Sequence, residues 1–103
     1  MTLTATFNVT TITMLITFDP DKHRKTLAER GLDFSRAAEI FSGKHFTATD
    51  DRQDYRELRY ITVGNLDGRM IVMVWTLRDK ARRIISMRKA NEREQARYAS
   101  RLE

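Results

Sequence analysis

The chain has 103 residues, a formal net charge of +5 and a sequence pI near 10.0, which predict one small domain with a polyanionic or acidic partner. It contains no cysteine, so disulfides, thiolate nucleophiles and thiolate metal ligands are excluded. No apolar run approaches roughly eighteen residues, so we predict no membrane-spanning helix and rank nucleic acid ahead of membrane as partner. Because the chain has no cysteine, we expect a cytoplasmic protein.

Residues 1–13 differ from everything that follows, because threonine recurs there without helical periodicity. We expect these residues to be an N-terminal extension, either β-prone or frayed. Residues 14–103 then form a single domain, whose first strand is Leu15-Ile16-Thr17-Phe18.

A basic helix is predicted directly after this strand. Asp19 is a favoured N-cap and Pro20 a favoured first helical residue, so the helix begins there and runs to about Arg30, where Gly31 stops it. The expected inward contacts of this helix are Leu27 and Ala28.

A second, shorter helix should follow. Ser35 is the predicted cap, Phe34 should pack against the start of the helix, and Gly43 should end it. The apolar stripe of this helix is Ala37, Ala38, Ile40 and Phe41.

A β-hairpin dominates the second half of the chain. After a mostly polar stretch with a possible short strand at 45–49, two β-rich runs at 59–66 and 69–76 are joined by Asp67-Gly68. Both turn residues tolerate the positive φ that a type I′ turn requires, so the hairpin is a strong prediction. Trp75 and the methionines of this region are most simply core residues.

An arginine-rich strand and a last helix complete the predicted fold. In the strand at 82–88, simple alternation puts Ile85 and Met87 on one face, and the other face carries Ile84, Ser86 and Arg88. Asn91 is the predicted cap of the last helix, whose thin apolar face is Ala96, Tyr98, Ala99 and Leu102.

The order of elements predicts an α+β fold with a small, mainly antiparallel sheet, two N-terminal helices and a C-terminal helix. In this setting the chain resembles the BrnT family of toxins from type II toxin-antitoxin modules, which are similar in fold to RelE toxins. The resemblance covers roughly residues 15–100 and rests on these segments: Phe18-Asp19-Pro20 with Lys22, Arg30-Gly31-Leu32-Asp33-Phe34 before Ala37-Ala38-Glu39-Ile40-Phe41, Arg59-Tyr60-Ile61-Thr62-Val63-Gly64 with Asp67-Gly68-Arg69, and Arg83-Ile84-Ile85-Ser86-Met87-Arg88-Lys89-Ala90 before Glu92-Arg93-Glu94.

The resemblance implies endonucleolytic RNA cleavage that inhibits translation, without a metal ion. Such a reaction needs activation of the ribose 2′-hydroxyl, positive charge for the developing phosphorane and a proton for the leaving 5′-oxygen. The residues predicted to act in catalysis are Lys22, Arg59, Arg83 and Arg88. The residues predicted to contact RNA are Tyr60, Lys25, Arg30 and Lys89.

The chain departs from the family pattern in the first helix. Thr26 stands where the family often has asparagine, and Glu29-Arg30 stands where it often has Lys-His before the glycine. If that histidine helps activity in relatives, its role here is lost or passes to Arg30.

Each predicted catalytic residue also has an ordinary structural interpretation. Lys22 can be a solvated helix residue, and Arg59 can pair with Glu57 or Asp54. Arg83 and Arg88 can pack their stems over the sheet and pair with Glu92 or Glu94 of the last helix.

The remaining titratable residues predict no further chemistry. His23 is most simply a surface residue, and His45 is expected to be inert. Two isolated histidines and scattered carboxylates show no ligand spacing, so we predict no metal site and no cofactor.

Two further classes of function stay open. The domain can be a non-catalytic basic module that contacts DNA only through an acidic partner, or a plain nucleic-acid binder whose affinity falls steeply with salt. The resemblance implies as partners an RNA substrate and a BrnA-like antitoxin with a ribbon-helix-helix domain. Operator DNA would be contacted through that antitoxin, which is expected to cover the basic face.

Overall fold

The computed structural model describes residues 15–103, which form a five-stranded sheet with helical segments packed against it. The predicted extension at 1–13 and the start of the domain at Met14 lie outside the described residues. The strands are β1 (Ile16–Phe18), β2 (His45–Asp50), β3 (Arg59–Leu66), β4 (Arg69–Arg78) and β5 (Ala81–Lys89). The α-helices are α1 (Pro20–Arg30), α2 (Ala37–Ser42) and α3 (Glu92–Tyr98).

The sheet has the order β1-β5-β4-β3-β2 and is mixed. The pairings β2 with β3, β3 with β4 and β4 with β5 are antiparallel, as predicted, and β1 is parallel to β5. A parallel pairing needs a long connection, and the chain between β1 and β5 supplies it, since it contains two helices and three strands. The α+β class is therefore confirmed. The prediction of a mainly antiparallel sheet with two N-terminal helices fits in part, because β1 is parallel to β5 and precedes both helices.

The first helix has the predicted limits but not the predicted contacts. Gly31 ends it with φ 70°, and its N–H donates to the carbonyl of Leu27. The expectation that Leu27 and Ala28 point inward is wrong, because both are exposed and α1 has no buried residue. The reason is that α1 lies beside the part of β5 that follows Ile84, where β5 is no longer paired with β1.

Polar groups hold α1 in this place. Arg30 donates to the carbonyl of Met87 on β5 at 2.9 Å, which satisfies an edge carbonyl. Nε2 of His23 lies 2.7 Å from Oδ1 of Asp33, and the histidine ring packs 4.6 Å from the ring of Phe18. His23 is thus half-buried, contrary to the expectation of a surface residue.

The main core lies between α2 and one face of the sheet, called here the core face. The helical segment before this core begins differently from the prediction. Asp33, not Ser35, accepts the capping hydrogen bond, and the 3₁₀ turn Phe34–Arg36 precedes α2. The buried members of this core are Leu32, Phe34, Ala37, Ile40, Leu66, Ile71, Met73, Trp75, Ile84 and Met87.

A β-bulge in β5 changes the predicted faces of that strand. Val74 pairs with Ser86, but Trp75 pairs with Ile84, so Ile85 is an extra residue. Ile84 and Met87 therefore share the core face, and the assignment of Ile84 to the face of Ser86 is wrong. Simple alternation cannot foresee this switch, because it assumes one residue on each strand at every pair.

The C-terminal segment covers part of the opposite face. Asn91 and Glu94 form the capping box of α3, which confirms the predicted start of the helix, and the 3₁₀ turn Ala99–Leu102 follows. Tyr98 and Leu102 pack against a small cluster that includes Val63 and Val72. No helix within residues 15–103 is long and apolar enough to cross a bilayer.

We predict that Gly64→Ala lowers the free energy of unfolding by about 1–3 kcal/mol, because cores resist added volume. A Cβ at Gly64 would lie 2.7 Å from Cγ2 of Ile40 and 3.2 Å from Cβ of His45. Urea unfolding followed by Trp75 fluorescence measures the loss. The matched control is Gly43→Ala, whose Cβ would meet only the carbonyl oxygen of Glu39 at 3.8 Å. Equal losses in the two variants would contradict this packing.

Candidate functional site

The face of the sheet opposite the main core, called here the open face, holds a cavity of about 330 Å³, which we name the sheet cavity. Its floor is apolar and belongs to the two central strands: Ile61, Val63, Val72 and Val74. Its walls are polar and come from the loop before β3, from β5 and from α3: Arg52, Ser86, Arg88, Glu94 and Tyr98. This volume is in the range of small-ligand sites.

Arg88 enters the sheet cavity from β5 and is oriented by Glu94. Its Nη1 and Nη2 donate to the two carboxylate oxygens of Glu94 at 2.7 and 2.8 Å, a bidentate ion pair. These hydrogen bonds raise the pKa of Arg88 and lower the pKa of Glu94 to about 2. Glu94 also accepts from the backbone N–H of Asn91 at 2.9 Å. The same carboxylate therefore caps α3 and fixes the guanidinium.

Arg52 brings a second guanidinium to this cavity. Its Nε and Nη2 donate to the carboxylate of Asp50 at 2.7 and 2.8 Å, and the hydroxyl of Tyr55 donates to the same carboxylate at 3.1 Å. Although burial opposes ionisation, the hydrogen bonds from Arg52 lower the pKa of Asp50 to about 2. The side chain of Asp50 is fully buried, whereas that of Arg52 is 63% exposed. A buried carboxylate therefore holds a guanidinium group that faces outward.

Arg59 and Arg83 lie further along the open face. Both pair with Thr76 in the register, so they lie on either side of it, about 10 Å apart at the usual strand spacing. Arg59 donates to Glu57 at 3.1 Å and stacks over the ring of Tyr55 at 4.3 Å. The pair with Glu57 is the structural interpretation that was set beside a catalytic role for Arg59. Arg83 is half-buried.

A second cavity, the edge cavity, lies between α1 and β5 and measures about 350 Å³. It is lined by Lys22, Lys25, Thr26, Glu29, Arg30, Ile85 and Ser86. Ser86 lines both cavities, so the two adjoin at this small side chain. Three predicted residues, Lys22, Lys25 and Arg30, are thereby brought close to the cavity that contains Arg88.

Tyr60 and Lys89 are not brought to either cavity. The ring of Tyr60 stacks on Trp75 on the core face, with centroids 4.6 Å apart. Lys89 pairs with Ile71, whose side chain is in the main core, and is itself exposed. Their roles in RNA binding stay predictions.

Three residues of the sheet cavity were not among the predicted site residues. Arg52 looked like one charge among several in a compensated loop, and only the burial of Asp50 shows its fixed position. Glu94 was predicted only as a structural partner of the strand arginines, and its pair with Arg88 is observed. Alternation placed Ser86 on the face of Arg88, but no functional role was predicted for it.

Acid should destabilise the folded chain by protonating the carboxylates of Asp50 and Glu94. Their pKa values are about 2, below their ordinary values of 3.8 and 4.5, so their stabilisation is complete above about pH 4.5 and is lost as the pH falls towards 2. We expect Glu94→Gln to remove about 1–2 kcal/mol of this pH-dependent part, allowing for solvent screening of the pair. Urea unfolding of both proteins at a series of acid pH values measures it. Parallel pH curves would contradict the assignment.

The comparisons with known proteins identify the family of the chain. The family model described as "Ribonuclease toxin, BrnT, of type II toxin-antitoxin system" matches residues 18–94, which is well over half of the chain. The matched span includes Arg52, Arg88 and Glu94, together with the lysines of the edge cavity. No curated protein matches the chain. The resemblance stated from the sequence is thus confirmed, and the chain belongs to the BrnT family of ribonuclease toxins of type II toxin-antitoxin systems.

Proposed function

We propose that residues 14–103 are a metal-independent endoribonuclease domain that cleaves RNA in the sheet cavity, inhibits translation and acts in the cytoplasm. The observation that carries this proposal is the convergence of Arg88 and Arg52 on one cavity with an apolar floor. The floor can receive the face of a base, while two guanidinium groups can contact the phosphate next to it.

Arg88 is the proposed catalytic group that stabilises the phosphorane. Its orientation is fixed before substrate binds because Glu94 accepts one hydrogen bond from each terminal nitrogen. The N–H of Nε and the outer N–H of Nη2 form a second fork, which matches two phosphoryl oxygens. Glu94 is a poor proton acceptor at neutral pH, since its pKa is about 2. We therefore assign Glu94 to positioning and not to proton transfer.

Lys22 is the proposed second catalytic group, on the far side of Ser86. Lys25 and Arg30 line the same edge cavity, so a strand of RNA that crosses β5 at Ser86 has cations on both sides. Arg83 and Arg59 lie further along the open face and are suited to phosphates of flanking nucleotides. This arrangement supplies the charge of the transition state from arginine and lysine, without a metal ion.

The finer partner assignments are also proposals. A type II toxin has an antitoxin partner and an RNA substrate, and we propose that this antitoxin is BrnA-like, with a ribbon-helix-helix domain that contacts operator DNA. We further propose that the fold is RelE-like, which is supported by the largely antiparallel sheet with helices before and after it.

A non-catalytic binding module is the second candidate. Specific ion pairs favour it, because Arg88 and Arg59 each have a carboxylate partner, and Glu29-Arg30 departs from the family pattern. In that case the wild-type chain would bind its antitoxin and leave RNA intact.

Arg88→Ala should reduce RNA cleavage by about 10²–10³-fold, because removal of one donor to a transition-state oxyanion has an effect of that size. The assay follows a labelled single-stranded RNA in excess EDTA, so that persisting wild-type cleavage also tests metal independence. Arg88→Lys keeps the charge but loses the fork and should remain strongly impaired.

The matched control is Arg69→Ala, which removes the same charge from the exposed end of the β3–β4 hairpin, outside both cavities. Circular dichroism and thermal melting confirm that each variant is folded. Cleavage by folded Arg88→Ala at the level of Arg69→Ala would refute the proposed site, and intact RNA with the wild-type chain would favour the binding module.

A further inference from the structure

Arg82 occupies an unusual position on the core face of the sheet. Its guanidinium carbon lies 3.8 Å from the ring centroid of Phe41 and 5.3 Å from that of Trp75. Its Nε is buried and has no hydrogen-bond partner within residues 15–103. Burial lowers the pKa of Arg82, which means that removal from water disfavours its charged form. The group therefore gains from any anion or acceptor brought to it.

Other arginines of the described chain already have such partners. Those with a carboxylate partner are Arg24, Arg36, Arg52, Arg59, Arg78 and Arg88. Exposed arginines without a carboxylate can be hydrated, whereas the Nε of Arg82 is out of contact with water. Arg82 is thus an incomplete polar site in a largely apolar setting.

Two exposed leucines lie on the same side of the sheet as Arg82. Leu77 pairs with Arg82 across the β4–β5 ladder and is 48% exposed. Leu58 is 58% exposed and directly precedes β3, where alternation places it on the side of Tyr60. The docking patch, as we name it, comprises Phe41, Leu58, Tyr60, Leu77 and Arg82. It lies at the margin of the core face, beside the end of α2 that carries Phe41.

We propose that the docking patch binds an apolar segment of the antitoxin that carries a carboxylate, with the carboxylate placed on Arg82. Aromatic side chains beside an arginine are typical of protein interface centres, and the two exposed leucines add apolar area that a partner can bury. RNA is a poorer fit, because the phosphate-suited cations converge on the opposite face. The proposal rests on the antitoxin partner that family membership implies, and not on the cleavage site.

Leu77→Glu tests the docking patch in the full-length chain. The new carboxylate would lie opposite Arg82 and compete with that of the partner, so we expect the complex to weaken by at least about ten-fold. Leu77→Lys should weaken it less, because a lysine attracts an acidic segment. The probe is the antitoxin of this toxin's own module, and calorimetry gives the Kd. RNA cleavage by the free protein should not change.

The matched control is Leu27→Glu, the same substitution at a leucine of α1 that is 44% exposed. Equal effects of Leu77→Glu and Leu27→Glu on the Kd would overturn the proposal. Loss of RNA cleavage in folded Leu77→Glu would also overturn it, because RNA would then be the occupant of the docking patch. A free chain that dimerises, and that Leu77→Glu makes monomeric, would overturn it as well, because the occupant would then be a second copy of the chain. A wild-type chain that fails to cleave RNA but shows the expected Kd pattern refutes only the ribonuclease proposal.

Discussion

The β-bulge at Ile85 is the constraint on which the arrangement of this molecule depends. It lets Ile84 and Met87 both enter the main core while Ser86 and Arg88 face the other side of the sheet. Without the extra residue, alternation would move either the isoleucine out of the core or Ser86 off the open face. The bulge thus separates Arg82, which lies among aromatic rings, from Arg88, which lies at the sheet cavity.

Ion pairs organise the cations of the sheet cavity before substrate is present. Asp50 and Glu94 each hold one guanidinium through two hydrogen bonds, and both carboxylates stay ionised well below neutral pH. Each carboxylate is tied to an element boundary, the end of β2 and the start of α3. Folding of the scaffold therefore fixes the direction of the guanidinium groups, and little reorganisation is needed when a phosphate binds.

Much of the fold was predictable because strong local signals govern it. Pro20 and Gly31 bound the first helix, Asp67-Gly68 makes the hairpin turn with φ values of 54° and 76°, and Asn91 caps the last helix. The failures have a tertiary origin. Leu27 and Ala28 are exposed because α1 attaches to an open strand edge through polar groups, which helical periodicity does not describe.

The candidate site was predictable in composition and less so in geometry. Arg88 and Lys22 could be chosen because basic residues suit phosphate chemistry and because the family pattern contains them. The contribution of Arg52 could not be predicted from the sequence, because it depends on a buried aspartate at the end of an edge strand. The face of Tyr60 follows from the register of β3 and the face of Ile84 from the bulge, and both need long-range pairing to be known.

The most direct test of the account is an NMR titration of the wild-type chain with an RNA oligonucleotide whose 2′-hydroxyls are methylated, so that it binds without being cleaved. We predict that the largest amide shifts occur at Val74, Ser86 and Arg88, with smaller ones along α1. Shifts concentrated around Tyr60 and Leu77 on the core face, or no saturable shifts at all, would contradict the claim that the sheet cavity receives RNA.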